Sequence, residues 1–235
     1  MPKEKLSIII PAYNEENVIC STLEEIQGAL DNNNEIIVVD DGSTDKTSDL
    51  VIENFPNVKL IRISKNKGKG AAVKKGVMNA SGDLILFLDA DGSTPFHHVF
   101  DFLETIKNYD IVIGSRTLPE SNIIKKQPLY KVFLGKCGNL LIRFILNINY
   151  SDTQCGFKMF RRDSAREIFS KLQCNKWAFD FEVLKIAQLK NMSVKEIPVS
   201  WKNDPNTNVS FLDYFTTLKN LIEIKLRYRK DTNDQ

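Results

Sequence analysis

The apolar run LILFLDADGSTP (84–95) ends on two carboxylates, Asp89 and Asp91, one alanine apart, and a second run, EIIVVDD (35–41), ends on Asp40 and Asp41. Side chains two apart on a strand point to one face, so Asp89 and Asp91 repel unless something cationic lies beside them. Hard divalent cations such as Mg²⁺ or Mn²⁺ take carboxylate oxygens together with substrate phosphates. A metal-bridged diphosphate is the chemistry this pattern offers. A plainer reading has both acids capping the helix that begins near Thr94, where negative charge is favoured by about 0.3–1 kcal/mol.

The elements that must hold these acids are strands alternating with helices. LSIIIPAY (6–13), EIIVVDD (35–41), NVKLIRI (57–63), DLILFLDAD (83–91) and YDIVIGSR (109–116) have strand length, and between them lie helix-spaced stretches such as AAVKKGVMNA (71–80) and HVFDFLETI (98–106). Such alternation predicts an α/β fold with a mainly parallel sheet flanked by helices on both faces. Ligands of open parallel sheets sit beyond the carboxyl ends of the strands, where all four acids fall. Asn14 and Ser43 are expected as helix N-caps, and Pro95 suits a first helical turn. Further on, CGFKMFRR reads as a strand, FDFEVLKIAQLK (179–190) as a helix, VKEIPVSW (194–201) as a strand and residues 211–230 as an amphipathic, base-ended helix. The near repeat of VVDDGSTD (38–45) in FLDADGST (87–94) reads as two loops at equivalent strand ends.

The chain has 235 residues, of which 42% are hydrophobic, ordinary for one large packed domain spanning 1–235. Its 32 basic and 30 acidic residues leave +2, too even for a general nucleic-acid binder. Four scattered cysteines with no CxxC pair suggest neither a zinc site nor a redox dithiol, and reduced cytosolic thiols are expected. No window approaches the ~18 apolar residues of a membrane span. Asp-x-Asp after a strand also opens haloacid-dehalogenase-type phosphohydrolase sites. That pattern wants threonine or valine where this chain has Ser93, and it falls on the first strand, not the fourth.

Seven motifs in order carry a more specific resemblance: SIIIPAYNEE (7–16), VVDDGSTDKT (38–47), NKGKGAAVKKG (66–76), LFLDADG (86–92), IGSR (113–116), DTQCGFKMF (152–160) and WAFDFEVL (177–184). Together they resemble the inverting GT-A glycosyltransferases, and within them the polyprenyl-phosphate branch, the dolichyl-phosphate glucose and mannose synthases. DTQCGFK with WAFDFE is closer to the glucose-transferring members. The resemblance implies a GT-A fold with a nucleotide-sugar-binding half at 1–116 and an acceptor-side half at 117–235. It implies transfer of a sugar, glucose from UDP-glucose, with inversion onto a polyprenyl or dolichyl phosphate.

The implied roles follow position by position. Pro11, Ala12 and Tyr13 would hold the nucleotide base, Glu15 would lie near the ribose, and Asp41 would accept a base N–H. Asp89 would lie by the ribose or metal, and Asp91 would ligate a Mg²⁺ or Mn²⁺ that stabilises charge on the leaving diphosphate. Lys69, with Gly68 and Gly70, suits close approach to the nucleotide. A lipid monophosphate arrives already carrying about −1.5 to −2 charges, so it needs cations more than a base. Arg116, Lys131 and Lys136 are the candidates, Arg116 first because a guanidinium fork matches phosphate oxygens. Asp180 falls where other members of the fold keep a catalytic carboxylate; with Glu182 on the same alternating face it could instead bond a loop.

The apolar positions 130, 133, 134, 137, 140, 141, 144, 145 and 148 have helical spacing with basic flanks. That suits a helix in the membrane interface, and equally a core or homodimer helix. A peripheral position at the cytosolic membrane face is the expected location. Relatives often carry a lysine after the strand that ends at Trp201; here Asn208 falls there, with Lys202 nearby. Two further readings stay open: transfer to a glycan or polysaccharide hydroxyl, and a non-catalytic nucleotide-sugar-binding subunit.

Overall fold

The computed structural model describes residues 4–31, 33–125, 129–202 and 211–229. In chain order the elements are β1 (Leu6–Ala12), α1 (Ile19–Ala29), β2 (Glu35–Asp40), α2 (Thr47–Asn54), β3 (Lys59–Arg62), α3 (Lys69–Asn79), β4 (Leu84–Leu88), α4 (Val99–Thr105), β5 (Ile111–Ser115), β6 (Asn122–Lys125), α5 (Leu129–Leu146), β7 (Phe157–Arg161), α6 (Arg162–Lys171), α7 (Phe179–Leu189), β8 (Val194–Pro198), β9 (Ser200–Lys202) and α8 (Phe211–Arg227). Seven strands form one sheet in the order β3-β2-β1-β4-β7-β5-β8, and β6 pairs with β9 in a small second sheet. β7 is antiparallel to both β4 and β5. The other pairs in the large sheet are parallel.

Strands covered on both faces read as near-continuous apolar runs, and β1 and β4 are buried throughout. Alternate residues feed two cores. Ile9, Val39, Phe87 and Phe160 pack under α3, α6 and α7, while Ile8, Ile10, Val38, Leu86 and Phe157 pack with α1, α2 and α4. The strand order reverses at β1, with β2 on one side and β4 on the other. At such a switch point the outgoing loops diverge and leave a crevice beyond the carboxyl ends.

The loops around that crevice are not closed by the N-caps that Asn14 and Ser43 promised. α1 and α2 begin at Ile19 and Thr47 without side-chain caps. Asn14 and Ser43 are spent on each other's loops instead. The Asn14 N–H donates to Ser43 Oγ at 2.9 Å, and Asn14 Oδ1 accepts the Thr44 N–H at 2.8 Å. These bonds stitch the loop after β1 to the loop after β2. Gly42 and Gly92, at matching places in the two similar loops, both take positive φ, 81° and 62°.

α5 and α8 each carry apolar side chains on two faces. Ile142 and Leu146 of α5 and Leu221 and Ile224 of α8 are buried, but Leu140, Leu141, Phe144, Leu218, Ile222 and Leu226 are exposed. The apolar series expected along 130–148 thus splits, with positions 140, 141 and 144 facing outward.

α3 lies close on the sheet because Gly76 has no side chain: a Cβ there would come within 2.2 Å of Ile9 Cγ2 and 3.2 Å of Val39 Cγ2. Glycine to alanine inside an exposed helix normally stabilises by about 1 kcal/mol. Gly76→Ala should instead destabilise by about 1–3 kcal/mol through overpacking, measured by urea unfolding. A gain in stability would show that α3 can lift off the sheet freely.

Candidate active site

The loops beyond β1, β2 and β4, the start of α3 and the segment before α7 enclose a cleft of about 580 Å³. Pro11, Ala12, Tyr13, Glu15, Asp41, Lys69, Asp89 and Asp91 all line it, as do Lys176 and Trp177. The fold therefore brings the expected donor-side residues to one cavity. Tyr13 is 46% exposed at its mouth and Trp177 52%.

Asp41 is buried, and both its oxygens accept backbone N–H groups, Oδ1 from Lys67 at 2.9 Å and Oδ2 from Gly68 at 2.7 Å. A carboxylate has about four acceptor sites, so two remain for a ligand. Its first effect is local: it fixes the loop that delivers Lys69. The glycines of that loop answer to protein packing. A Cβ on Gly68 would meet Asn175 O at 2.5 Å, and one on Gly70 would meet Cys174 O and Phe179 Cβ at 2.6 Å. Both glycines permit close approach of the segment before α7, and Gly68 also lines the cleft.

β4 ends at Leu88, so Asp89 and Asp91 lie in the following loop and not on one strand face. The cation that their repulsion calls for is Lys69, whose ammonium forms an ion pair with Asp89 Oδ1. That oxygen is wholly buried and has no other donor. On its far side the ammonium lies 5.2 Å from the Trp177 ring centroid. Burial opposes the charge on Lys69, but Asp89 and Asp180 outweigh it and hold the pKa above the usual lysine value. Asp91 accepts the Ser93 N–H at 2.9 Å. Burial, then the neighbouring Asp89 charge, push its carboxyl above the usual range.

A hard divalent cation fits this pair, since both carboxylates line the cleft and it would relieve their mutual repulsion. Among the described residues no group of three or more His, Cys, Asp or Glu side chains forms a full protein cage. An ion bound by one or two carboxylates, completed by water and phosphate oxygens, needs none.

Beneath the cleft Asp180 meets a partner that motif reading did not single out. Lys158, fully buried on β7, ion-pairs with Asp180 of α7 and donates to Cys155 O at 2.7 Å. Burial raises the Asp180 pKa, opposed by Lys158 and Lys69. Asp180 and Glu182 do not share a face: in a helix, residues two apart diverge. Glu182 turns away to accept from Arg227 and Tyr228 at the end of α8 and from the Gln173 and Cys174 N–H groups.

Arg116, expected to grip a phosphate, spends its fork on Asp152: Nε donates to Oδ2 at 2.7 Å and Nη2 to Oδ1 at 2.9 Å. Its guanidinium stands 5.4 Å from the Trp201 ring centroid. What remains for an incoming anion is its Nη1 edge. Burial opposes its charge, but Asp152 dominates and keeps Arg116 protonated at every accessible pH. Lys131 and Lys136 lie on α5, with side chains outside those described, and Asn208 lies outside the described residues. Lys158 carried one readable signal, a lysine inside an apolar strand covered on both sides, which must find a buried acid.

An open, mostly parallel sheet with an acidic, lysine-countered cleft at its switch point is the GT-A fold of a nucleotide-sugar glycosyltransferase. The model of glycosyl transferase family 2 matches residues 7–169, and the chain belongs to that family. It is 36% identical over 243 residues to the dolichyl-phosphate beta-glucosyltransferase of Dictyostelium discoideum, covering 95% of this chain and 74% of that one. The Homo sapiens protein of the same name is 34% identical over 248 residues, 97% of this chain and 76% of that one. Among solved structures, Mycobacterium tuberculosis glucosyl-3-phosphoglycerate synthase with Mn²⁺, UDP and glucosyl-3-phosphoglycerate superposes with a TM-score of 0.70 over 95% of this chain and 79% of that one. At 18% identity that is a likeness of fold.

Gly156 seats Asp89, since a Cβ there would fall 2.0 Å from Asp89 Oδ2. Gly156→Ala should displace the carboxylate and cut glycosyl transfer by about 10²-fold, the usual cost of a misplaced site group, with circular dichroism unchanged. Transfer at the wild-type rate would mean that the seat of Asp89 is immaterial.

Proposed function

We propose that the chain transfers glucose from UDP-glucose, with inversion, to the phosphate of a polyprenyl or dolichyl lipid at the cytosolic surface of a membrane. The observation that carries this reading is the convergence of Tyr13, Asp41, Lys69, Asp89 and Asp91 on one cleft. Relatives named dolichyl-phosphate beta-glucosyltransferase support the acceptor, and a neighbour of the same fold solved with Mn²⁺ and UDP-glucose supports the donor and metal. A β product from an α-linked nucleotide sugar accords with a single displacement. The phosphate oxygen attacks the anomeric carbon from the face opposite UDP, the bond from that carbon to the diphosphate breaks, and its electron pair leaves with UDP.

Pro11, Ala12 and Tyr13 form a platform for the base, Glu15 faces the ribose, and Asp41 offers its remaining lone pairs to a base N–H. Asp89 and Asp91 would hold Mg²⁺ or Mn²⁺, which supplies positive charge against the leaving diphosphate. Arg116, with Lys131 and Lys136 of α5, attracts the acceptor phosphate. Asp180 sits sealed under Lys158, a poor place for a group that must take a proton from a hydroxyl. That favours an ionised phosphate, which needs no base, over a glycan hydroxyl.

The outward apolar residues Leu140, Leu141 and Phe144 on α5 and Leu218, Ile222 and Leu226 on α8 suit contact with a membrane surface, where such a lipid is met. Among the described residues no helix is long and apolar enough to cross a membrane.

Asp91→Asn should keep the fold and lose most turnover, because an amide is a poorer ligand for a hard cation than a carboxylate. Full activity of that variant, or of the wild type in EDTA, would remove the metal from the mechanism. Arg116→Ala and Asp180→Asn, compared at saturating donor, separate the acceptor classes. With a lipid phosphate the arginine variant should be the worse of the two. A loss of ~10²–10⁴-fold at Asp180, typical of a missing general base, beside a silent Arg116 would point to a hydroxyl.

A further inference from the structure

We infer that Lys69 and the divalent cation exchange at Asp89: the ammonium is the carboxylate's counter-ion until donor and metal enter together, and then leaves it for the donor's diphosphate. The inference rests on the metal and donor reading above. Asp89 Oδ1, the oxygen paired with Lys69, is wholly buried, while the carboxylate as a whole is a third exposed and lines the cleft. A divalent ion taken up by that carboxylate would stand close to the ammonium and repel it in a partly dry site.

The backbone under Lys69 is fixed by hydrogen bonds and packing, while its side chain is held by its charge. Asp41 binds the Lys67 and Gly68 N–H groups, and Gly68 and Gly70 pack on the 174–179 segment. The Lys69 ammonium pairs with Asp89 and rests over Trp177, which is half exposed. Its four-carbon stem can therefore swing within the cleft it already lines. Metal alone must break an internal ion pair with nothing to receive the lysine. A diphosphate supplies the receiving anion, so the two ligands favour each other's binding.

Free Mn²⁺ counted by electron paramagnetic resonance tests this. In the wild type, UDP should tighten Mn²⁺ binding by about 5–150-fold, the usual range of coupled sites. Lys69→Met should tighten the binding of Mn²⁺ alone by a similar factor and abolish most of the UDP effect. A folded Lys69→Met protein with unchanged affinity for Mn²⁺ alone overturns the exchange and leaves the metal reading standing. If neither protein binds Mn²⁺, with or without UDP, while UDP still binds, the metal reading falls and the exchange with it. Should Lys69→Met not fold, a Trp201→Phe protein leaves Trp177 as the single tryptophan, since the chain has two. Its emission should change when Mg²⁺ and UDP are added together and stay constant with Mg²⁺ alone. The full change with Mg²⁺ alone, or none with both, overturns the proposal.

Discussion

A buried carboxylate is tolerable only with a cation or several hydrogen bonds beside it, because the loss of hydration otherwise costs several kcal/mol. This protein places a row of such acids at and below one sheet edge, and the way each is satisfied determines which elements are tied together. Asp41 joins β2 to the entry of α3 through two amides. Lys69 joins α3 to the end of β4, Lys158 joins β7 to α7, and Arg116 joins β5 to the loop before β7. Glu182 ties α7 to the last turn of α8. Removing one member of such a pair strands the other charge, so the site and the packing beneath it stand or fall together.

Much of this was legible in the residues. Apolar runs located β1, β2 and β4, the last two ending in acids, and the DxD spacing called for a cation. Lys69 proved to be that cation in the isolated chain. The glycines of NKGKG were visible, but their reason was not, because the 174–179 segment that crowds them lies about a hundred residues further on. A separation of 36 residues hid the Arg116 fork: nothing local says that a GSR arginine meets an aspartate at 152. Asn14 and Ser43 had the chemistry of caps and were diverted by each other, a tertiary choice that overrides helix-start signals.

The helix expected over 179–190 is there, but placing Asp180 and Glu182 on one alternating face does not suit a helix. The two acids part company, one toward the cleft floor and one toward α8. Likewise the helical spacing along 130–148 was real but described two surfaces at once, one core-facing and one outward. Periodicity reports that a face is apolar and says nothing of what covers it.

The position of β7 has a consequence for how the chain is made. β4 and β5 are separated in the sheet by a strand that comes from residues 157–161. While a ribosome has delivered only the first five strands, β4 and β5 lack their shared neighbour, and each presents an unpaired edge of backbone donors and acceptors. Such edges invite pairing with other nascent chains. The nucleotide-side half is therefore not a module that matures first and waits. Its sheet closes only when β7 slots in, bringing Lys158 under the cleft, so folding is committed to late, long-range contacts and is expected to be slow.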